Sequence, residues 1–416
     1  MRKFRRLLLF LGILIIISLL TNRVLKSNNS DNLVYYLDDK EVTDISDIKE
    51  IIYVDKIVCD NGTIGSLKEE NIFLSNLSRK SNCKIYYKTG TVSEKTKSLL
   101  DTSGRCPDIN SDGSVNVTDA EAENSLVCKT TDSYGDSYYY RGNVINNYVY
   151  FGGFYWRIIR INGDGSIRII YDGTLAHVNG EASTDRILSK KPYNSTYNDN
   201  VYVGYMYGKV NASNYQDAHT NVNSSDGKKY LENWYEENFK EKYSNLIADN
   251  IFCNDRSIST YLPSSSYNNL GYGKNTTAYR WAFGPWNGEK ANYPTLICPQ
   301  QNDCFTVNDT SKGNGALTEP IGLISMDEVI LAGGYNKANT RYYLYTGNVY
   351  FTMSPWKYEY SSGSGMVTYL HGVAENGNPN NWVNTNGSFG IKPVINLQEE
   401  ALKYGDGSIN NPYRVE

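Results

Sequence analysis

The first 26 residues decide the compartment in which the rest of this chain folds. Four basic residues within positions 2–6 precede the apolar run 7–20. As a helix this run would reach about 21 Å at about 1.5 Å per residue, short of the roughly 30 Å hydrocarbon core of a bilayer. It fits a secretory signal or a signal anchor, and the lack of a small-x-small cleavage site after Leu20 favours a membrane anchor through residues 7–20. By the positive-inside rule we expect the remaining chain outside the cytoplasm, secreted or attached to the cell surface.

Export makes the seven cysteines candidates for disulfide bonds. Cys59 with Cys83 and Cys106 with Cys128 form two local pairs. Of the other three cysteines one must stay unpaired, and we favour a bond between Cys253 and Cys298 that leaves Cys304 free. A bond between Cys298 and Cys304, closing a CPQQNDC loop, is the alternative.

The organisation of the chain follows from shifts in composition. Residues 31–92 contain three strand-like runs separated by polar turns, which predicts a small β module held by Cys59 and Cys83. Residues 93–131 are polar and poor in aromatic residues, so we interpret them as a linker with the Cys106–Cys128 loop. Residues 132–416 show no comparable break and form one large domain in this interpretation.

The large domain is expected to be mostly β, in the α+β class, because Asn, Gly, Ser, Thr and Tyr favour strands and loops over helices. Residues 154–171 predict a hairpin around NGDG. Apolar residues at helical spacing predict a helix over 229–247, and Ser325 with Glu328 predicts a capping box. The Asn- and Gly-rich stretch 361–387 is expected to form long exposed loops.

The sequence DINSDGSVNVTD, residues 108–119, carries the most specific chemical motif of the chain. Its spacing of oxygen-bearing residues is that of an EF-hand-type calcium loop, with glycine at the sharp turn. The candidate ligands of a structural calcium ion are Asp108, Asn110, Asp112, the Ser114 carbonyl, Asn116 and Asp119. The loop resembles one repeat of a dockerin, although dockerins carry two. A solvated turn shaped by the Cys106–Cys128 disulfide is the alternative interpretation.

Charge and motif content limit the functional classes. The net charge is −4 and no basic run follows the first six residues, which argues against nucleic acid as a partner. His177, His219 and His371 are scattered and lack partners at metal-ligand spacing. No nucleophile elbow or phosphate-binding glycine loop is found, so no catalytic residue is assigned and an enzymatic activity has no support in the sequence.

Tryptophan and asparagine in the carboxyl-terminal part are the best candidates for ligand binding. Sugars stack their apolar face on aromatic rings and take hydrogen bonds from amides around the rim, a pattern suggested by NPNNW at 378–382. We select Trp356, Trp382 and Asn380 as candidate ligand-binding residues. The alternative for each tryptophan is simple packing of a loop onto the domain.

Several longer segments are recognisable together. They are DSYYYRGNV (136–144), GFYWRIIRINGDGSIRIIYDG (153–173), YVGYMYG (202–208), FCNDRS (252–257), PIGLISMDEVILAGG (320–334), YLYTGNVYFTMSP (343–355), GIKPVINL (390–397) and YGDGSINNPYRV (404–415). Over residues 132–416 the chain resembles exported proteins of Bacillota and Mollicutes-like bacteria that carry a domain of unknown function 6273. The carboxyl-terminal pattern of that family, a YFTMSP-like strand, a glycine loop and a GIKPVI strand, is similar to the end of C-type-lectin-like and formylglycine-generating-enzyme-like folds. Those are α+β folds with few helices and long loops.

The resemblance implies a surface protein in which a C-type-lectin-like domain binds a glycan or a host protein. It carries no catalytic residues across, because formylglycine-generating enzymes use cysteines late in the domain and this chain has none after Cys304. A lectin-type calcium motif is also altered, with NPN at 378–380 in place of a glutamate-containing sequence. An enzyme of that architecture, a glycan-modifying enzyme and a structural envelope protein are the alternatives.

Overall fold

The computed structural model describes residues 32–68, 71–76, 81–261, 266–283 and 293–416, so the predicted export segment lies outside the described residues. The fold is α+β, built of mixed sheets with few and short helices. Two compact units are formed, one by residues up to Ser46 with Val54–Lys88 and the other by Asp47–Tyr53 with Thr89–Glu416. Among the described helices, none is both long and apolar enough to cross a bilayer.

The described part of the first unit consists of strands. They are β1 (Asn32–Leu37), β2 (Lys40–Val42), β3 (Ile52–Cys59), β4 (Ile64–Lys68), β5 (Asn71–Ser75) and β6 (Asn82–Thr89). Four of them form a sheet in the order β2-β1-β6-β3, while β4 and β5 form a separate hairpin. Asp38 and Asp39 have φ of 47° and 64°, which lets a two-residue turn join β1 to β2. The predicted disulfide between Cys59 and Cys83 is present, with 4.1 Å between the Cα atoms.

The second unit contains the remaining described strands and helices. Its strands are β7 (Ser125–Asp132), β8 (Gly135–Gly142), β9 (Tyr148–Phe151), β10 (Phe154–Ile161), β11 (Ile167–Gly173), β12 (Ser189–Lys191), β13 (Met206–Tyr207), β14 (Asn223–Ser224), β15 (Phe252–Cys253), β16 (Thr277–Ala278), β17 (Cys304–Phe305), β18 (Tyr350–Ser361), β19 (Gly365–Val373), β20 (Asn381–Asn384), β21 (Phe389–Ile391), β22 (Val394–Leu397) and β23 (Tyr413–Arg414). Its α-helices are α1 (Val92–Ser98), α2 (Tyr215–Ala218), α3 (Asp226–Tyr235), α4 (Glu241–Tyr243) and α5 (Met326–Leu331). Single 3-10 turns lie at Thr184–Arg186, Asn200–Val203, Ser244–Leu246, Arg280–Phe283, Gln301–Asp303 and Glu399–Ala401.

The first large sheet of this unit has the order β22-β11-β10-β8-β7, with β9 and β23 attached through β10. The predicted hairpin is confirmed, since β10 and β11 pair antiparallel from Tyr155 to Gly173. Gly165, in the NGDG turn, has a φ of 91°, a conformation that glycine adopts without strain. Every residue of β11 is buried, including the charged residues Arg168 and Asp172.

The second large sheet has the order β12-β21-β18-β19-β20, with β16 paired to β18. The chain leaves this sheet after β21 and enters the first sheet as β22, with only Lys392 and Pro393 between the two strands. One hydrophobic core contains buried side chains of both sheets, among them Ile169, Ile395 and Phe351. The switch at Lys392 and Pro393 therefore places neighbouring residues of the chain in two sheets that share a core.

The expectation of long exposed loops over 361–387 is wrong, because this stretch contains β19 and β20. Strand β19 pairs antiparallel with β18 on one side and with β20 on the other. The sequence VTYLHGV is rich in β-branched and aromatic residues, which fit a pleated, half-buried surface. The abundant Asn and Gly of the stretch lie largely in the turns around these strands.

The helix predictions are confirmed in outline. Ser325 caps α5, with its hydroxyl accepting from the Glu328 amide at 3.2 Å and the Glu328 carboxylate accepting from the Ser325 amide at 3.0 Å. The helix predicted over 229–247 is present as α3, a π-helical turn at Glu236–Lys240, α4 and a 3-10 turn.

Residues 93–131, interpreted above as a linker, lie in the second compact unit. Strand β7 pairs with β8 over eight residue pairs, and Val115 and Val117 are buried. The predicted Cys106–Cys128 disulfide joins the segment before β7 to the strand itself. The unit boundary in the structure thus lies near Thr89, because the polar segment contributes a strand and apolar side chains to the larger unit.

The third predicted disulfide, Cys253–Cys298, is present, and Cys304 is the free cysteine among the described residues. Cys304 pairs in register with Cys253 across β15 and β17 and is 2% exposed. Burial raises the pKa of its thiol to about 12, so at neutral pH it is a protonated, enclosed group.

Candidate ligand-binding site

One face of the second sheet gathers aromatic and amide side chains. In the register of β19 and β20, His371 lies opposite Trp382 and Tyr369 lies opposite Asn384. Because side chains alternate along a strand, these four residues share one face. Lys357 of β18 lies opposite Tyr369 and extends the same face across a third strand. The register of β18 shifts between Pro355 and Lys357, and this bulge allows Trp356 and Lys357 to lie on the same face although they are consecutive.

The two tryptophans selected from the sequence meet on this face. The indoles of Trp356 and Trp382 stack with 5.3 Å between ring centroids and 8° between planes. Tyr369 stands edge-on to both rings, at 5.6 Å and 5.5 Å. Trp356 is fixed from behind by a hydrogen bond from its indole N–H to the Ala282 carbonyl at 3.2 Å, while Trp382 is 55% exposed. The two stacked indoles therefore form a rigid aromatic surface, and the Trp382 ring is the one exposed to solvent.

A groove with a volume of about 350 Å³ lies beside Trp382. It is lined by Tyr197, Ser361, Ser364, Val367, Tyr369, Trp382, Val383, Asn384, Asn386 and Phe389. Strands β18, β19 and β20 and the turn before β21 supply most of this lining. Its volume is near the lower end of the range for small-molecule sites.

The amides of the groove are held by the turn between β20 and β21. The Asn384 amide donates to the Asn386 side-chain oxygen at 3.0 Å. At Gly387 a Cβ atom would come within 2.7 Å of the Asn384 side-chain oxygen and 2.3 Å of the Phe389 ring, so glycine permits this close turn. The arrangement leaves further donor and acceptor capacity on both amides.

Asn380, the third residue selected from the sequence, lies outside the groove lining. Its amide donates to the Asn336 side-chain oxygen at 2.7 Å, which ties together two loops. Asn384 and Asn386 were missed because the whole stretch was interpreted as loop; recognition of the VTYLHGV strand and its partner NWVN would have placed them.

His371 supports this face from within the core. It is fully buried, and its Nε2 lies 2.9 Å from the Trp281 carbonyl oxygen. Burial lowers its pKa to about 4, so the ring is neutral at physiological pH and donates to that carbonyl. His177 and His219 are buried elsewhere in the second unit.

The candidate calcium loop folds as a tight turn held by its own side chains. Asp112 accepts from the Ser114 amide at 2.9 Å and from its hydroxyl at 2.6 Å, and the Asn110 amide donates to the same hydroxyl at 3.0 Å. The Asp119 carboxylate pairs with Lys337 at 2.5 Å. Throughout the described part of the chain, no three His, Cys, Asp or Glu side chains are arranged to hold a metal ion.

A second concentration of polar groups lies at the switch between the two sheets, and we call Arg157, Asp172, Arg186 and Lys392 the switch cluster. All four side chains are at most 1% exposed. Asp172 lies 2.8 Å from Arg186, 3.7 Å from Lys392 and 3.9 Å from Arg157. Burial lowers the pKa of Lys392 to about 7, because a third buried cation faces a single carboxylate.

The chain matches no family profile, no curated protein and no solved structure.

Proposed function

We propose that this chain is an exported cell-surface protein whose larger unit binds a glycan in the groove beside Trp382. The observation that carries the proposal is the Trp356–Trp382 stack, which directs an exposed indole to a groove lined by amides, hydroxyls and aromatic rings. The resemblance to C-type-lectin-like domains, with a membrane anchor through residues 7–20, accords with such a role.

The chemistry of the groove suits a sugar. A pyranose ring has an apolar face of C–H groups, which packs on an indole, and a rim of hydroxyls that each donate and accept hydrogen bonds. Trp382 and Tyr369 supply the aromatic contact, and Asn384, Asn386 and Ser361 supply amide and hydroxyl partners. Preorganisation by the Trp356 stack reduces the entropy that the indole loses on binding.

Binding is better supported than sugar hydrolysis at this groove. Glycoside cleavage generally uses two carboxyl groups that flank the bond. The described residues of the groove lining include no aspartate or glutamate.

The test is glycan-array and titration binding with the full-length protein in detergent, comparing wild type with Trp382→Ala. We expect the substitution to weaken binding at least about tenfold, equivalent to about 1.4 kcal/mol, because it removes the exposed stacking surface. The matched control is Tyr360→Ala, which removes an aromatic residue that is 70% exposed on β18 but does not line the groove. The proposal would be contradicted if the protein bound no glycan on the array, or if the two variants lost the same amount of binding affinity.

Calcium in the loop 108–119 remains a prediction with its own test. For an occupied loop, calcium chloride raises the melting temperature of the EDTA-treated protein, and Asp112→Ala abolishes that rise because it removes a ligand. An unchanged melting temperature in the wild type would contradict the calcium site.

A further inference from the structure

We infer that the groove beside Trp382 accepts an electrically neutral sugar unit and discriminates against sugars that carry a carboxylate or a sulfate. The inference rests on the proposed function and specifies the ligand class of the same site. It comes from the distribution of charge around the groove.

The lining supplies polar contacts without formal charge at neutral pH. Among its described residues, none is Asp, Glu, Lys or Arg. Its hydrogen-bonding groups are the amides of Asn384 and Asn386 and the hydroxyls of Ser361, Ser364 and Tyr197, with Tyr369 beside Trp382. These groups can donate hydrogen bonds to, and accept them from, the hydroxyls and amides of neutral sugars.

Two ionic groups of β18 on the same face pair with each other. Lys357 and Glu359 of β18 lie 3.7 Å apart, and the Lys357 side chain is 11% exposed. The Lys357 ammonium also lies over the rings of Trp356 and Tyr267, at 4.3 Å and 5.4 Å from their centroids. This lysine is therefore enclosed by a carboxylate and two aromatic rings, and it does not belong to the described lining of the groove.

An anionic sugar would consequently lose hydration in the groove without gaining a cationic partner. Burial of an ion without a counter-charge is far more costly than burial of a hydroxyl that finds a hydrogen bond. The net charge of −4 adds no long-range attraction for an anion. Discrimination here comes from the absence of a cation in the described lining, so it can be reversed by adding one.

The experiment compares neutral oligosaccharides with uronate- or sialate-containing analogues of equal length, by calorimetric titration of the full-length protein at low and high salt. We expect neutral oligosaccharides to bind at least about tenfold more tightly, and their affinity to change less than about twofold with salt. Tighter binding of the anionic analogues would overturn the inference while leaving glycan binding intact. Failure of both classes to bind would overturn the proposed function as well.

A variant with an added positive charge tests whether the discrimination against anionic sugars arises in the groove. Ser364→Lys puts a cation in the lining, in the exposed turn between β18 and β19, and should strengthen binding of the anionic analogue about five- to tenfold. Ser362→Lys adds the same charge in the same turn at a residue outside the lining, and should leave that affinity within about twofold. Equal effects of the two variants, or no effect of Ser364→Lys, would overturn the inference.

Discussion

The groove and the switch cluster are both polar sites of the larger unit, but the switch cluster consists of buried charged groups whereas the described lining of the groove consists of uncharged ones. The switch cluster holds three cations and one carboxylate, all within 1% exposure, on strands and connections that cross between the two sheets. The groove offers hydroxyls and amides on an accessible face, next to a half-exposed indole. Buried ions with fixed partners are typical of sites that hold a fold together. Polar groups with unused hydrogen-bonding capacity beside an exposed aromatic ring are typical of ligand-binding sites.

The largest effect on stability is expected when the carboxylate of the switch cluster is removed. Asp172→Ala leaves Arg157 and Arg186 buried without their counter-ion, and we expect it to lower the free energy of unfolding by about 3–5 kcal/mol. Urea unfolding followed by tryptophan fluorescence measures the change.

Its matched control is Asp136→Ala, which breaks an exposed pair with Lys129 that lies at 2.7 Å. Exposed pairs contribute at most about 1 kcal/mol. Comparable losses in the two variants would show that Asp172 does not act as a buried counter-ion.

A second test concerns Lys392. Its pKa is about 7 in the folded protein against an ordinary value of 10.5, so the unfolded chain binds more protons between these two pH values. The contribution of this residue should therefore raise the free energy of unfolding as pH increases above 7, with a slope of at most about 1.4 kcal/mol per pH unit. Lys392→Met should remove that component.

Melting temperatures of wild type and Lys392→Met between pH 6.5 and 9 provide the measurement. Lys229→Met, at a side chain that is 61% exposed, serves as the control and should retain the wild-type pH profile. A Lys392→Met profile parallel to wild type would show that the ammonium is not the titrating group.

A third test concerns the stability of Trp382→Ala. Because the side chain is 55% exposed, we expect a loss of about 1–2 kcal/mol in the free energy of unfolding, well below the about 3–5 kcal/mol for a fully buried residue such as Trp156. Thermal unfolding of both alanine variants checks this order. A loss for Trp382 equal to that for Trp156 would identify the tryptophan stack as a core element rather than a ligand surface.

The sequence was sufficient for features that depend on neighbouring residues. The capping box at Ser325, the hairpin around NGDG and the three disulfides are all present. The capping box, the hairpin and the Cys59–Cys83 and Cys106–Cys128 bonds follow from local spacing or local conformational preference. The Cys253–Cys298 bond is the favoured one of two pairings that the sequence left open.

Features that depend on long-range register were not predictable in this way. Trp356 and Trp382 were chosen for their residue types and neighbours, but their stacking depends on the pairing of β18, β19 and β20. Asp172 and Lys392 stand 220 positions apart and meet because β11 pairs with β22. Composition also misled over 361–387, where asparagine and glycine in the turns obscured two strands.

The switch at Lys392 and Pro393 also bears on how the larger unit is assembled. Strand β21 joins the second sheet and β22 joins the first, so one short late segment supplies strands to both. Strand β22 pairs with β11, whose residues emerge more than two hundred positions earlier. Contacts of such separation slow folding, because a long loop must close before they form. Until β22 has been synthesised, β11 has an unpaired edge, so the first large sheet cannot be completed before this late segment is available.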